Sequence, residues 1–335
     1  MRTNLYIIGN GFDLYHGLDT KYQSFANFLK DRNWEIYDLA VEYYYLPDIA
    51  NQDDVNDDDY AEWSRFEEAL ANLDYEQVLE DKSDYAANLY DPDFRDRDWN
   101  TYQIEMEMIV DKLTNDLKTI FKEFILIIDY PNHKRIQDKT INIDKNSLFL
   151  NFNYSITLEK YYDISTDNIC YIHNKATEDN NDLILGHGIS PEKFKPSETK
   201  PPDNLTDEEL ELWREEMSNQ YDLSYEMAKD EILGYYKKSF KNSDEIINDN
   251  KQFFKILTNI DTVYVLGHSV SEIDICYFKM VKKSINKNAI WFVSYYSEKG
   301  KHKHIKALLN IGIKKKNIKQ IRIEELKKPM HNSKS

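Results

Sequence analysis

Asn10, Asp13, Asn151, Asn153, His173, His187, His268 and Ser269 each fall at or just after the end of a short apolar run that reads as a β-strand. Amides, a carboxylate, imidazoles and a hydroxyl are the groups that hold polar ligands and move protons. Buried without partners, each such group costs on the order of a few kcal/mol, so a set of them is poor core material. In open parallel sheets, ligands bind at the carboxyl edge of the strands, where these residues collect. Asn151 and Asn153 are two apart, so on an extended strand both point to one face. An Asx turn closing the strand is the structural alternative for that pair. His173 follows Cys170-Tyr171-Ile172 and emerges from a buried run, either into a site or as a strand cap. His187, between Gly186 and Gly188, reads as turn chemistry.

The elements that must position these groups alternate along the chain. Leu5-Tyr6-Ile7-Ile8 reads as a buried strand that breaks into Gly9-Asn10-Gly11-Phe12-Asp13, and Leu14, Leu18, Tyr22, Phe25, Phe28 and Leu29 follow at helical spacing. Strand, glycine turn and helix form the entry to a nucleotide site in doubly wound folds, because glycines let backbone approach a phosphate at a helix N-terminus. The third glycine of the dinucleotide fingerprint is missing, and a tight turn with no ligand is the competing reading.

Residues 31–146 are aromatic, acidic and helical in pattern, with long segments at Tyr60–Leu79 and Trp99–Ile128 and turns at Asp91-Pro92 and Tyr130-Pro131. Strands are expected at 147–150, 168–172, 183–185, 262–266, 289–295 and 318–323, and helices near Leu158–Tyr161 and at 206–240, 272–285 and 301–309. The expected fold is α/β: a doubly wound, mostly parallel sheet of Rossmann type formed by 1–30 and 147–325, with a large helical insertion at 31–146 and a basic tail at 326–335.

The net charge of -17 argues against a nucleic-acid-binding surface over most of the chain. Acid is dense at Asp53-Asp54, Asp57-Asp58-Asp59 and Asp81–Asp98, and base at Lys301, Lys303, Lys306, Lys314-Lys315-Lys316 and Lys319. Solvated surface is the plain reading of both, and homo-oligomerisation by acid meeting base is the sharper one. Cys170 and Cys276 cannot build a four-cysteine zinc site, and no metal is expected. No run is long enough for a membrane span and no signal peptide opens the chain, so a cytoplasmic protein is expected.

Gly267-His268-Ser269-Val270-Ser271 carries the G-x-S of a serine-hydrolase nucleophile elbow, with Ser269 as nucleophile. Ser271 stands where that elbow has glycine, and the later histidines, His302 and His304, lie in a lysine-rich helix.

The segments LYIIGNGFDLYHGLDTKYQSF, FLNFNYSITLE, YIHN, LILGHG and VLGHSVSEIDICYF, in that order, resemble the AbiH family of bacterial abortive-infection proteins. A more distant likeness is to sirtuin-like NAD-binding domains. That likeness places the opening turn at Gly9, Asn10, Gly11, Phe12 and Asp13, and the catalytic pair at Asn153 and His173. Its late ligand segment falls on Gly267, His268, Ser269 and Asp274, and Asn151 joins the binding residues. Asn174 stands where glycine is usual after the histidine, and two cysteines exclude the zinc module of sirtuin deacylases.

What the resemblance implies is an anti-phage effector that binds NAD or a related nucleotide and hydrolyses the nicotinamide–ribose bond, with Asn153 placing water and His173 as base. A phage-derived trigger is implied but unspecified by the sequence. A non-catalytic nucleotide sensor or partner-binding module, a serine hydrolase using Ser269, and a nuclease are the alternatives.

Overall fold

The computed structural model describes residues 3–48, 63–88, 92–180, 182–196 and 200–327. Six strands form one sheet: β1 (Asn4–Ile8), β2 (Leu148–Asn151), β3 (Ile169–Tyr171), β4 (Thr262–Leu266), β5 (Ile290–Ser294) and β6 (Ile318–Ile321). Their order is β3-β2-β1-β4-β5-β6, and every neighbouring pair is parallel. The chain works outward from β1 to β3, then returns to the middle at β4 and works outward the other way. The loops after β1 and β4 therefore leave the sheet at its point of reversal, where open α/β sheets form a crevice.

Parallel strands are covered on both faces, which is why these runs are continuously apolar instead of alternating with polar residues. Leu5, Ile7, Leu148, Leu150, Val263, Val265 and Trp291 belong to one buried cluster. Tyr6, Ile8, Phe149 and Leu266 belong to the other. On that second face Tyr6 stacks on Phe149 and on Tyr264, with ring centroids 5.1 and 4.8 Å apart, between residues paired in register.

The helix expected from Leu14 to Leu29 is two: α1 (Asn10–Tyr15) and α2 (Tyr22–Arg32). Gly17, at φ +85, turns the chain between them. The stretch 31–146 carries no strand among its described residues. It forms α3 (Trp34–Tyr43), α4 (Trp63–Ala69), α5 (Tyr75–Asp81), α6 (Thr101–Asp111), α7 (Leu117–Ile127) and α8 (His133–Ile136). Between Trp63 and Leu79 the helical pattern is broken in two, because Asp74 accepts from the Gln77 N–H and starts α5 afresh; Tyr60 lies outside the described residues. Ile36, Phe66, Met106 and Phe121 of these helices share one apolar cluster with Phe25 of α2 and with Tyr6 and Phe149 of the sheet.

After β2 comes α9 (Thr157–Tyr162). Residues 183–185 are not a strand: Ile184 donates its N–H to the His173 carbonyl oxygen at 3.1 Å, and ladder pairing there is confined to one bridge between His187 and Phe240. The expected long helix at 206–240 is α10 (Asp207–Gln220), α11 (Leu223–Leu233) and α12 (Tyr235–Lys238). Thr206 and Glu209 cap α10 reciprocally, and Asp222 caps α11, so the sequence carries its own breaks. Then follow α13 (Ser243–Asp249), α14 (Lys251–Lys255), α15 (Ile275–Ser284) and α16 (Glu298–Asn310). The acidic runs at 53–54 and 57–59, Asp91 and residues 328–335 lie outside the described residues.

Candidate functional site

The glycine turn after β1 is built against the turn after β4. Gly9 donates its N–H to the Leu266 carbonyl oxygen at 3.0 Å, Gly11 to that of Gly267 at 2.8 Å, and Phe12 to that of Gly9 at 2.9 Å. A Cβ on Gly9 would stand 2.7 Å from His268 Cα, and one on Gly267, at φ +67, would stand 2.0 Å from Phe12 N. The close approach that these glycines permit is thus to each other's backbone. The N–H groups of Gly11 and Phe12 are satisfied within the chain, so a phosphate near this turn needs other donors. Asn10 reaches sideways, its Nδ2 donating to the Thr20 carbonyl oxygen at 3.0 Å.

Past β2, alternate residues separate into two clusters. Asn153 and Ser155 go with Asp13. The Ser155 hydroxyl donates to Asp13 Oδ2 at 2.5 Å, Thr157 Oγ1 lies 3.1 Å from Ser155 Oγ, and Asn153 Nδ2 donates to the Gly9 carbonyl oxygen at 3.1 Å. Asp13 is buried and its Oδ1 has no hydrogen-bond partner. Burial pushes its carboxyl up to about 6, against the opposing hydrogen bonds from Ser155, Thr157 and Asn153. Asn151 closes the strand with an Asx turn, its Oδ1 accepting from the Asn153 N–H at 3.1 Å.

The other cluster gathers around Phe152 and Asp274. The Phe152 ring lies edge-on to His173 and His268, at centroid distances of 5.3 and 4.3 Å. Asp274 precedes α15; its Oδ1 is 3.9 Å from His173 Nε2, and its Oδ2 is 3.6 Å from His268 Nε2. His268 Nδ1 accepts from the Val270 N–H at 2.9 Å, which leaves the proton of the neutral ring on Nε2, toward Asp274. His173 hydrogen-bonds to the Phe152 backbone, while its buried Nε2 has no hydrogen-bond partner. Burial, with the Lys241 charge, holds His173 well below the usual histidine range, and burial holds His268 at about 4. Both rings are neutral at physiological pH.

The structure therefore brings Asp13 together with Asn153, and His173 with His268 and Asp274. No hydrogen bond joins Asn153 to His173. Ser269 is exposed and bonds to no histidine among the described residues, so the elbow lacks its base. His302 is exposed with Nδ1 against the Glu298 carbonyl oxygen, and His304 is buried.

Four residues of the site escape the sequence reading. Ser155 and Thr157 follow Asn153 closely, and their spacing in the run after the strand is a readable signal. Lys241 and Glu67 have none: each sits in a charged stretch that reads as solvated surface. Yet Lys241 Nζ is buried 2.9 Å from Asp274 Oδ1 and 3.2 Å from Glu67 Oε1. His187 helps to place it, with the Lys241 N–H donating to the His187 carbonyl oxygen at 2.8 Å.

Among the described residues no cluster of His, Cys, Asp or Glu is arranged to hold a metal ion, and no helix is long and apolar enough to cross a membrane. No curated protein and no solved structure matches the chain. A family model described as bacteriophage abortive infection AbiH matches residues 5–295, which takes in every residue of both clusters. The chain belongs to the AbiH family of bacteriophage abortive infection proteins.

Proposed function

We propose that the sheet edge at the reversal point binds NAD or a related nucleotide and hydrolyses its nicotinamide–ribose bond, as the effector step of abortive infection. The observation that carries this reading is the state of His173. It is a neutral, buried imidazole oriented by the Phe152 backbone, with Nε2 left without a partner. In that form the ring keeps the free lone pair a general base uses, and the Asp274 carboxylate 3.9 Å from Nε2 would offset the cost of the imidazolium formed when it takes a ribose hydroxyl proton. Breaking the glycosyl bond builds positive charge on the sugar, and the buried carboxylate of Asp13, with its free Oδ1, is a group that would stabilise that charge. Asn153, hydrogen-bonded beside Asp13, supplies the amide that would place the attacking water. The strand order is that of dinucleotide-binding Rossmann sheets, which supports a nucleotide as the ligand.

The interlocked glycine turn favours a second reading, a module that binds nucleotide without turnover. With Gly11 N–H turned to Gly267, the phosphate contacts differ from those of a dinucleotide fingerprint. One experiment separates the two. Purified protein is incubated with NAD, alone and in lysate of phage-infected cells, beside Asn153→Ala and His173→Ala. Nicotinamide release that falls by about a hundredfold or more in both variants is expected. Saturable NAD binding with no release would establish the sensor, and neither binding nor release would sink both.

A further inference from the structure

A lysine ammonium is almost never fully buried unless it is paired, and the Lys241 side chain is 0% exposed. Its backbone is pinned from one side. His187 donates its N–H to the Ser239 carbonyl oxygen at 3.0 Å, Lys241 returns its own to the His187 carbonyl oxygen, and a Cβ on Gly186 would lie 2.0 Å from Ser239 O. The Gly186-His187-Gly188 turn thus has a use beyond turning: it delivers Lys241. On the other side the ammonium meets two carboxylates, Asp274 before α15 and Glu67 on α4, with the hydroxyl-bearing rings of Tyr154 and Tyr277 also facing it. Asp274 in turn faces both site histidines, and His304 of α16 is the further titratable group beside His268.

We propose that Lys241 is a positioning residue of this edge: it fixes the Asp274 carboxylate between His173 and His268 and ties it through Glu67 to helix α4. The charges explain why such a residue is needed. A buried carboxylate next to two imidazoles, with no cation beside it, would draw a proton onto itself or onto a ring. Lys241 balances Asp274 instead, so both rings stay neutral and the His173 lone pair stays open. Burial alone would raise the Asp274 carboxyl, and Lys241, His268 and His173 reverse that to about 2. Glu67 is the surplus carboxylate, pushed up to about 7 first by burial. The role given to His173 rests on the proposed NAD-cleaving reading, whereas the charge relation stands apart from it.

The test is an NMR titration of the imidazole signals of the full-length chain between pH 5 and 8, comparing wild type with Lys241→Arg and Lys241→Met. Wild type and the arginine variant are expected to show His173 and His268 neutral throughout. The methionine variant is expected to gain a protonation step in that range, shared by Asp274 and the rings, and to lose nicotinamide release by about a hundredfold or more, the arginine variant keeping it. A folded Lys241→Met chain whose imidazoles match wild type would overturn the assignment. Should Lys241→Met not fold, the pair Lys241→Met/Asp274→Asn decides: recovery of a folded chain supports the lysine as the balance to that carboxylate, and no recovery overturns it. A wild-type chain that releases no nicotinamide would remove the proposed activity, while the titration would still decide the role of Lys241.

Discussion

The N–H of Gly11 donates to the carbonyl oxygen of Gly267 over 2.8 Å, joining the loop after β1 to the loop after β4 across the reversal point of the sheet. This bond, with Gly9 N–H on Leu266, fixes the distance between the two segments that carry Asp13 on one side and His268 on the other. The site clusters inherit their geometry from a backbone contact that only residues without a side chain allow.

Gly267→Ala should therefore destabilise the chain far beyond an ordinary surface substitution. Its φ of +67 disfavours any Cβ, and the added carbon would stand 2.0 Å from Phe12 N, against backbone that cannot rotate away. Left-handed strain and overpacking together predict a loss on the order of 3 kcal/mol. Denaturant unfolding measures it, and a loss below about 1 kcal/mol would mean the two loops part easily.

Asp13 should make the folded chain less stable as pH rises through the weakly acidic range. Its folded carboxyl titrates at about 6, above its unfolded value of 3.8, so the native state holds the extra proton in between. The stabilisation is present below pH 3.8 and is lost as pH climbs to about 6, a swing of about 3 kcal/mol. Asp13→Asn removes the titration. Its stability relative to wild type is expected to improve by about that amount between pH 4 and 7. A difference independent of pH would show that the carboxyl is solvated or paired in solution.

The sheet was legible in the sequence because parallel strands buried on both faces need unbroken apolar runs. Leu5–Ile8, Thr262–Leu266 and Ala289–Tyr295 fall where strands form. The run at Leu183–Leu185 misled for the same reason: Leu183 and Leu185 are buried, but in the apolar cluster with Ile232 and Tyr236 and not as a strand of the sheet, and apolarity alone does not name the partner. Helix breaks at Gly17 and Asp222 are cap and turn chemistry that periodicity passes over. Asn153 and His173 stood out as polar groups at strand ends, whereas Lys241 and Glu67 could not. A charge in a charged stretch looks solvated until tertiary structure supplies its partners. Asp274 lay between these cases, marked by resemblance and by nothing in its own spacing.

The buried histidines make the chain acid-labile in a defined window. His16, His187, His268 and His304 are each held at about 4 by burial, and His173 also lies well below 6.5, so none takes a proton readily while folded. In the unfolded chain each titrates near 6.5, so the unfolded state binds more protons between 6.5 and 4. A histidine whose folded value is depressed contributes stability that is present above 6.5 and lost as pH falls toward 4. For His16 the geometry shows why. Its Nδ1 lies 2.7 Å from the Phe12 carbonyl oxygen and Nε2 lies 2.6 Å from the Tyr162 hydroxyl, which itself accepts from the Ile141 N–H. With Nδ1 donating, Nε2 receives the Tyr162 proton, and an imidazolium would turn that acceptor into a donor. This group alone is worth about 3 kcal/mol across the window. Asp13 and Glu67, titrating at about 6 and 7, oppose the trend, but they are two groups against five. Unfolding free energy measured from pH 7 to 4.5 is expected to fall steadily, and His16→Phe to flatten part of the slope. Stability that rose over that interval would mean the histidines are solvated in solution and that the neutral rings assigned to the site are not.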